Sequence, residues 1–261
     1  MKIPPSIAAL IKEKHGVPNK VGLSGAQVLC FDDMVLKVQP ISTESEREQD
    51  MLRFLQGKLP VPRLLAAEKA AGMHYILMER IPGEMACAAH VLADPATVTG
   101  LLAQALRMLW QVDISCCPYS SMLDEKLRLA EIQVRSGLVD MENCQPDTYG
   151  PGGFSGPEEL FEWLRRNRPE ETPVLSHGDF CLPNVFLLDG QVSGFLDLGR
   201  CGVGDPYQDI ALCYRSLQGN LAGHYGGVPI PDFPAETLFT ALNMEPDWEK
   251  IRYYILLDEL F

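Results

Sequence analysis

Residues 176–184, Ser-His-Gly-Asp-Phe-Cys-Leu-Pro-Asn, and residues 195–200, Phe-Leu-Asp-Leu-Gly-Arg, decide how this chain is read. They offer one proton acceptor, Asp179, and two oxygen ligands for a hard cation, Asn184 and Asp197. Residues 173–176 read as a strand running into the loop at His177. Residues 185–188 read as a second strand and 191–196 as a third. Asp189-Gly190 between the last two marks a hairpin turn. Asn184 stands at the entrance of the hairpin and Asp197 at its exit, so strand pairing brings the two ligands together. Asp, Asn and Gly are also ordinary turn residues, and one of them alone says little. The ordered set says more.

The interval from Asp179 to Asn184 matches the H-R-D-x-x-x-x-N loop of protein kinases, and Asp197-Leu198-Gly199 stands where D-F-G follows it. Gly178 replaces the Arg, and Leu198 the Phe. Phosphoryl transfer from ATP needs such a set: a carboxylate to aim a hydroxyl, and metal ligands to bridge the phosphates. His177 is expected to brace this loop rather than to carry a proton.

At 261 residues the chain can hold one large domain or two modest lobes. A hydrophobic content of 46% and a mean hydropathy of -0.02 fit a globular protein in water. No apolar run approaches the ~20 residues of a membrane span. The opening Met1-Lys2-Ile3-Pro4-Pro5 lacks the apolar stretch of a secretory signal. Eight cysteines are spread out without a C-x-x-C pair, which reads as reduced thiols in a cytoplasmic protein. A net charge of -13 argues against a nucleic-acid partner and suits a cationic small molecule.

Along the chain, residues 1–15 read as an amphipathic helix, 20–40 as a strand pair and 43–57 as a helix stopped by Pro60-Val61-Pro62. Residues 63–68 and 74–78 read as two more strands. After Ile81-Pro82-Gly83 helices dominate, at 98–112, 122–135 and 157–167. The strand-rich segment follows, then helices to the end. The expected fold is α+β and two-lobed. Residues 1–80 form a small β-rich nucleotide-binding lobe and 81–261 a larger, mainly helical catalytic lobe, with a cleft between them.

Strand alternation puts Val35 and Lys37 on one face and Met34, Leu36 and Val38 on the other. An ammonium on a buried strand wants an anion. Thr43 and Glu46 have capping-box spacing for a helix start. Glu48, Met51, Leu52 and Leu55 then share one stripe, while Glu46, Asp50 and Arg53 lie on the wet side. Glu48 is therefore the expected partner of Lys37. Gly22-Leu23-Ser24-Gly25-Ala26 offers Ser24 and backbone N–H groups to phosphate, although two glycines between strands also suit a plain hairpin. Val35 would roof the adenine, and residues 76–81 would supply the hinge.

These motifs, with Glu46-Arg47-Glu48, Asp113-Ile114-Ser115, Cys117-Pro118-Tyr119, Pro246-Asp247-Trp248-Glu249-Lys250 and the ending Leu256-Leu257-Asp258-Glu259-Leu260-Phe261, resemble the aminoglycoside 3′-phosphotransferases of kanamycin-kinase type over about residues 22–261. The resemblance implies a protein-kinase-like fold, ATP (or GTP) with Mg2+, and phosphorylation of an aminoglycoside 3′-hydroxyl that inactivates the drug. By position it implies Asp179 as base, Asn184 and Asp197 as magnesium ligands, and Lys37 with Glu48 on the phosphates. It places Asp258, Glu259, Phe261 and Arg215 around the drug, and Arg200 nearby. An acceptor loop over 137–160 would add Asp140, Glu142 and Asp147. The expected partner is the aminoglycoside, with no nucleic acid and no membrane, for a monomer or homodimer.

Two positions depart from some members. Val35 stands where an aromatic covers the adenine, and Leu182 where an acid follows the base by three residues. The alternative is a kinase of the same superfamily for a small metabolite such as choline or homoserine, against which the acidic ending argues. An aminoglycoside is a polycation, and Asp258, Glu259 and the terminal carboxylate offer it acceptors.

Overall fold

The computed structural model describes residues 3–19 and 26–261. Ser24 and its neighbours 22–25 lie outside the described residues. The first part of the chain runs α1 (Pro5–Leu10), β1 (Val17–Asn19), β2 (Gln27–Cys30), β3 (Met34–Pro40), α2 (Thr43–Leu55), β4 (Leu64–Ala70) and β5 (Met73–Glu79). Its five strands form one antiparallel sheet in the order β1-β2-β3-β5-β4.

The alternation of β3 decides what each face of this sheet does. Met34, Leu36 and Val38 pack with Ile7, Phe31, Tyr75 and Leu77 in an outer apolar cluster. Val35 and Lys37 take the opposite face, where Lys37 pairs in register with Ile76. Against that face lies α2, whose Met51, Leu52 and Leu55 are buried in the main core. Truncating Leu55 to Ala there costs about 2–5 kcal/mol.

Two local expectations need correction. The residue that caps α2 is Ser42, not Thr43: Ser42 Oγ accepts from Ser45 N at 3.1 Å, and Ser45 Oγ accepts from Ser42 N at 2.9 Å. A serine satisfies the reciprocal position as well as the expected Glu, which leaves Glu46 to pair with Lys69. The first helix is also shorter than 1–15. It ends at Leu10, and Glu13 follows with a positive φ of 66° that no helix accommodates.

The remainder comprises β6 (Glu84–Met85), α3 (Pro95–Trp110), α4 (Leu123–Arg135), α5 (Pro157–Arg166), β7 (Val174–Ser176), β8 (Val185–Leu188), β9 (Gln191–Phe195), β10 (Gly202–Gly204), α6 (Pro206–Leu221), α7 (Thr237–Leu242) and α8 (Trp248–Asp258). β8 and β9 form the expected hairpin, with β6 added on the far side of β8, and β7 pairs with β10. Leu102 and Leu106 of α3, Leu217 of α6 and Ile251 of α8 share one continuous core with α2. The fold is α+β and two-lobed, a β-rich part followed by a mainly helical one. No helix among the described residues is long and apolar enough to cross a membrane.

Polar contacts bolt α2 to the helical part. The Arg47 guanidinium lies 4.8 Å from the Tyr119 ring centroid and donates to Ser121 Oγ at 3.4 Å. Tyr119 Oη donates to Asp50 Oδ2 at 2.8 Å. α2 also packs on the turn at Leu198–Arg200.

Candidate active site

Lys37 is the meeting point of three segments. Its Nζ lies 2.9 Å from both Glu48 carboxylate oxygens and 3.0 Å from Asp197 Oδ1. Gln39 Nε2 donates to Glu48 Oε2 at 2.8 Å. Burial alone would pull the Lys37 pKa down. Attraction to Glu48 and Asp197 outweighs burial and holds it above the ordinary lysine range. Burial likewise disfavours charge on Asp197, but the Lys37 ammonium prevails and keeps that carboxyl below its ordinary range.

Asp197 occupies the left-handed region, at φ 58° and ψ 64°. Such a backbone at a non-glycine residue is costly and belongs to sites where the surrounding structure enforces it. Here it ends β9 and turns the carboxylate to Lys37. The hairpin that carries it has Asp189 and Gly190 at φ 49° and 72°, the tight turn with two left-handed residues. Leu196 N donates to Asn184 O at 2.9 Å, which ties the two ligand segments together.

Asn184 closes a single 3-10 turn, Leu182–Asn184. Its Nδ2 donates to Asp179 O at 2.9 Å and to Asp179 Oδ2 at 3.0 Å. Asn184 Oδ1 and Asp197 Oδ2 remain as hard oxygen donors on neighbouring segments. Two such ligands suit Mg2+, which keeps several waters and takes its other oxygens from phosphate.

The loop before Asp179 is held from behind. His177 is buried, its Nδ1 accepts from Asp179 N at 3.4 Å, and its Nε2 donates to Leu196 O at 2.8 Å. Asp209 of α6 accepts from Ser176 Oγ at 3.0 Å, His177 N at 2.8 Å and Gly178 N at 3.0 Å. Burial pushes the Asp209 carboxyl up, against the pull of His177 and those donors. Gly178 has φ 84°, and a Cβ there would meet Arg200 O at 2.2 Å. That close approach explains why the kinase Arg has no place at this position.

The C-terminal acids join the same region through arginines. Arg215 Nη2 donates to Asp258 Oδ2, and Arg200 Nη1 lies 3.4 Å from Asp258 Oδ1. Arg200 Nε also donates to Glu44 Oε1 of α2 at 3.0 Å. Arg215 Nη1 lies 3.5 Å from Glu259 Oε1, and Glu259 Oε2 accepts from Gln145 N at 3.1 Å. Burial lifts the Glu259 carboxyl, partly offset by Gln145 and Arg215. The Phe261 ring has the Lys126 ammonium 5.4 Å away and the Arg200 guanidinium 5.6 Å away. The resemblance places Asp258 and Glu259 at the drug-binding end. Each is already paired, because two arginines of the helical part reach them first.

Asp140 and Glu142 are exposed. The Asp140 carboxylate accepts from Glu142 N and from Asn143, closing its own turn. No hydrogen bond or ion pair joins either acid to the site among the described residues. Leu182, three residues after Asp179, is fully buried and donates its N–H to Ser216 Oγ at 3.0 Å. Val35 is half-buried on the Lys37 face. Sequence reasoning missed Asp209, Lys126 and Cys181. Asp209 stands in the first turn of α6, where an acid reads as an ordinary helix-end residue and carries no signal of the loop it holds.

Residues 16–254 match the phosphotransferase enzyme family, APH. An aminoglycoside 3′-phosphotransferase of Enterococcus faecalis is 37% identical, over 100% of this chain and 99% of that protein. One from Staphylococcus aureus is 36% identical over the same shares. Among solved structures, an aminoglycoside-3′-phosphotransferase of type VIII superposes with a TM-score of 0.81 at 27% identity, covering 98% of this chain and 97% of that one. The aminoglycoside phosphotransferase APH(3″)-Id from Streptomyces rimosus gives 0.81 at 26%, covering 97% and 95%. Its sequence motifs, its kinase-like geometry and these relatives agree that the chain belongs to the APH phosphotransferase family.

Proposed function

We propose that this enzyme moves the γ-phosphoryl group of ATP to the 3′-hydroxyl of an aminoglycoside and so inactivates the drug. The observation that carries the reading is the Lys37 ammonium, held by Glu48 and by Asp197, whose neighbour Leu196 is bonded through its N–H to Asn184 O, while the Asn184 amide holds Asp179. Lys37 neutralises the α/β-phosphates. Asp179 orients the drug hydroxyl and accepts its proton. Asn184 and Asp197 would hold Mg2+, and the ion would supply charge neutralisation to the phosphates. General-base help is worth about 10²–10⁴ in rate, and positioning can contribute more.

At the acceptor end the carboxylates of Glu44, Asp258 and Glu259 surround the Arg200 and Arg215 guanidiniums. A drug ammonium would join this network at Asp258, whose carboxylate has more lone pairs than the two arginines occupy. Residues 1–80 serve as the nucleotide lobe and 81–261 as the catalytic and drug-binding lobe in the same proposal.

The test is the susceptibility of a sensitive host expressing the chain, across aminoglycosides with and without a 3′-hydroxyl. It is paired with ATP-dependent phosphorylation assays on kanamycin, choline and homoserine. Protection limited to drugs with the hydroxyl supports the proposal. Turnover of choline or homoserine in place of kanamycin overturns it.

A further inference from the structure

The carboxylate of Asp179 is held on both oxygens, and only one of the two holders belongs to the motif that marked the site. Asn184 Nδ2 takes Oδ2 at 3.0 Å. On the other side the Cys181 thiol donates to Oδ1, with Sγ 3.2 Å away. We propose that Cys181 is a positioning residue for phosphoryl transfer: its thiol and the Asn184 amide together fix the plane of the Asp179 carboxylate toward the acceptor hydroxyl. The inference rests on the proposed role of Asp179 as base.

The backbone gives this thiol little freedom. Cys181 N donates to Asp179 O at 2.9 Å, and Asn184 N donates to Cys181 O at 2.9 Å. The next residue, Leu182, is buried and pinned to Ser216. A thiol carries one S–H donor, and the 3.2 Å contact directs it to the carboxylate oxygen. A carboxylate has about four lone-pair positions. With Asn184 on one oxygen and Cys181 on the other, rotation about the Cβ–Cγ bond would break both contacts. The remaining lone pairs then keep a fixed direction for the drug hydroxyl.

The experiment compares single-turnover phosphate transfer to kanamycin by the full chain and by Cys181→Ala and Cys181→Ser. Dissociation constants for drug and nucleotide and the thermal midpoint are measured alongside. Cys181→Ala is expected to slow the chemical step about 3- to 10-fold, the range a positional hydrogen bond supplies. Drug and nucleotide affinity should stay within about twofold, and Cys181→Ser, which keeps a donor, should restore the rate. If Cys181→Ala does not fold, Cys181→Val removes the same donor while filling the space of the thiol. A wild-type rate in the donor-free variant, or a Cys181→Ser as slow as Cys181→Ala, overturns the inference alone. A wild-type chain inactive on every aminoglycoside overturns the proposed function and this inference with it.

Discussion

Lys37 and Glu48 meet in the buried interior between β3 and α2, the ammonium equidistant from both carboxylate oxygens at 2.9 Å. The relationship sets where the ammonium points, because Glu48 and Asp197 pull it from two sides. In Glu48→Gln the ammonium keeps Asp197 as its one charged partner and shifts toward it. Turnover should fall by ~10- to 100-fold, as a misplacement of about 1 Å costs, and the KM for ATP should rise. Steady-state kinetics with ATP varied at saturating drug measure both. Unchanged values would remove Glu48 from the nucleotide site.

Asp209 accepts three donors from the loop that leads to Asp179. Replacing it with Ala leaves buried N–H and O–H groups without a partner, each worth about 1–3 kcal/mol. Asp209→Ala should therefore lose at least about 3 kcal/mol of stability and most of its turnover, although the residue touches no substrate. Denaturant midpoints and a turnover assay test this. Wild-type stability would show that water takes over the role.

Lys126 is a buried ammonium on α4 with no ion pair among the described residues. Burial, with Arg200 nearby, lowers its pKa from the ordinary 10.5 to about 8, against the pull of Asp258, Asp209 and Asp179. The unfolded chain takes up this proton near pH 10.5 and the folded one near pH 8. The penalty therefore grows as pH falls through that window and is complete below it. Lys126→Met should be more stable than wild type at neutral pH, by at most about 3 kcal/mol. The gap should narrow toward pH 10. Thermal midpoints at the two pH values decide; a less stable variant at neutral pH would refute the assignment.

Asp258 and Glu259 are neighbours with different surroundings. The Asp258 side chain is 16% exposed and that of Glu259 only 5%, the latter fastened to the Gln145 backbone. Asp258→Asn should raise the KM for the drug about 10-fold, one charged contact's worth, and also lower the thermal midpoint, because Arg200 and Arg215 each lose a charged partner. Glu259→Gln should mainly lower the thermal midpoint and loosen the loop around Gln145, visible as faster amide exchange there. The reverse pattern would exchange their roles.

Much of this arrangement could be read from residue order alone, because it rests on local periodicity. The alternation of Met34, Leu36 and Val38 with Val35 and Lys37 fixed both faces of β3. The helical spacing of Glu48, Met51, Leu52 and Leu55 picked Glu48 over Glu46. Asp189-Gly190 specified the hairpin that joins Asn184 to Asp197. What local pattern misses is long-range pairing. Asp209 sits in the first turn of α6, after the capping Asp205, where an acid reads as favourable to the helix end. Only the folded chain shows it turned inward to the loop at His177. Ser42 is masked in the sequence by Thr43 and Glu46, which fit the commoner capping pattern. The pairing of Asp258 and Glu259 with Arg200 and Arg215 depends on tertiary placement that no spacing encodes.

The most direct test of the shared site is Asp179→Ala, assayed in parallel for ATP binding by calorimetry and for phosphate transfer to kanamycin. Because Lys37, Asn184 and Asp197 remain in place, ATP affinity should stay close to wild type while transfer falls by about 10² or more. Near-normal transfer by this variant, with ATP still bound, would contradict the role of Asp179 at the centre of the site.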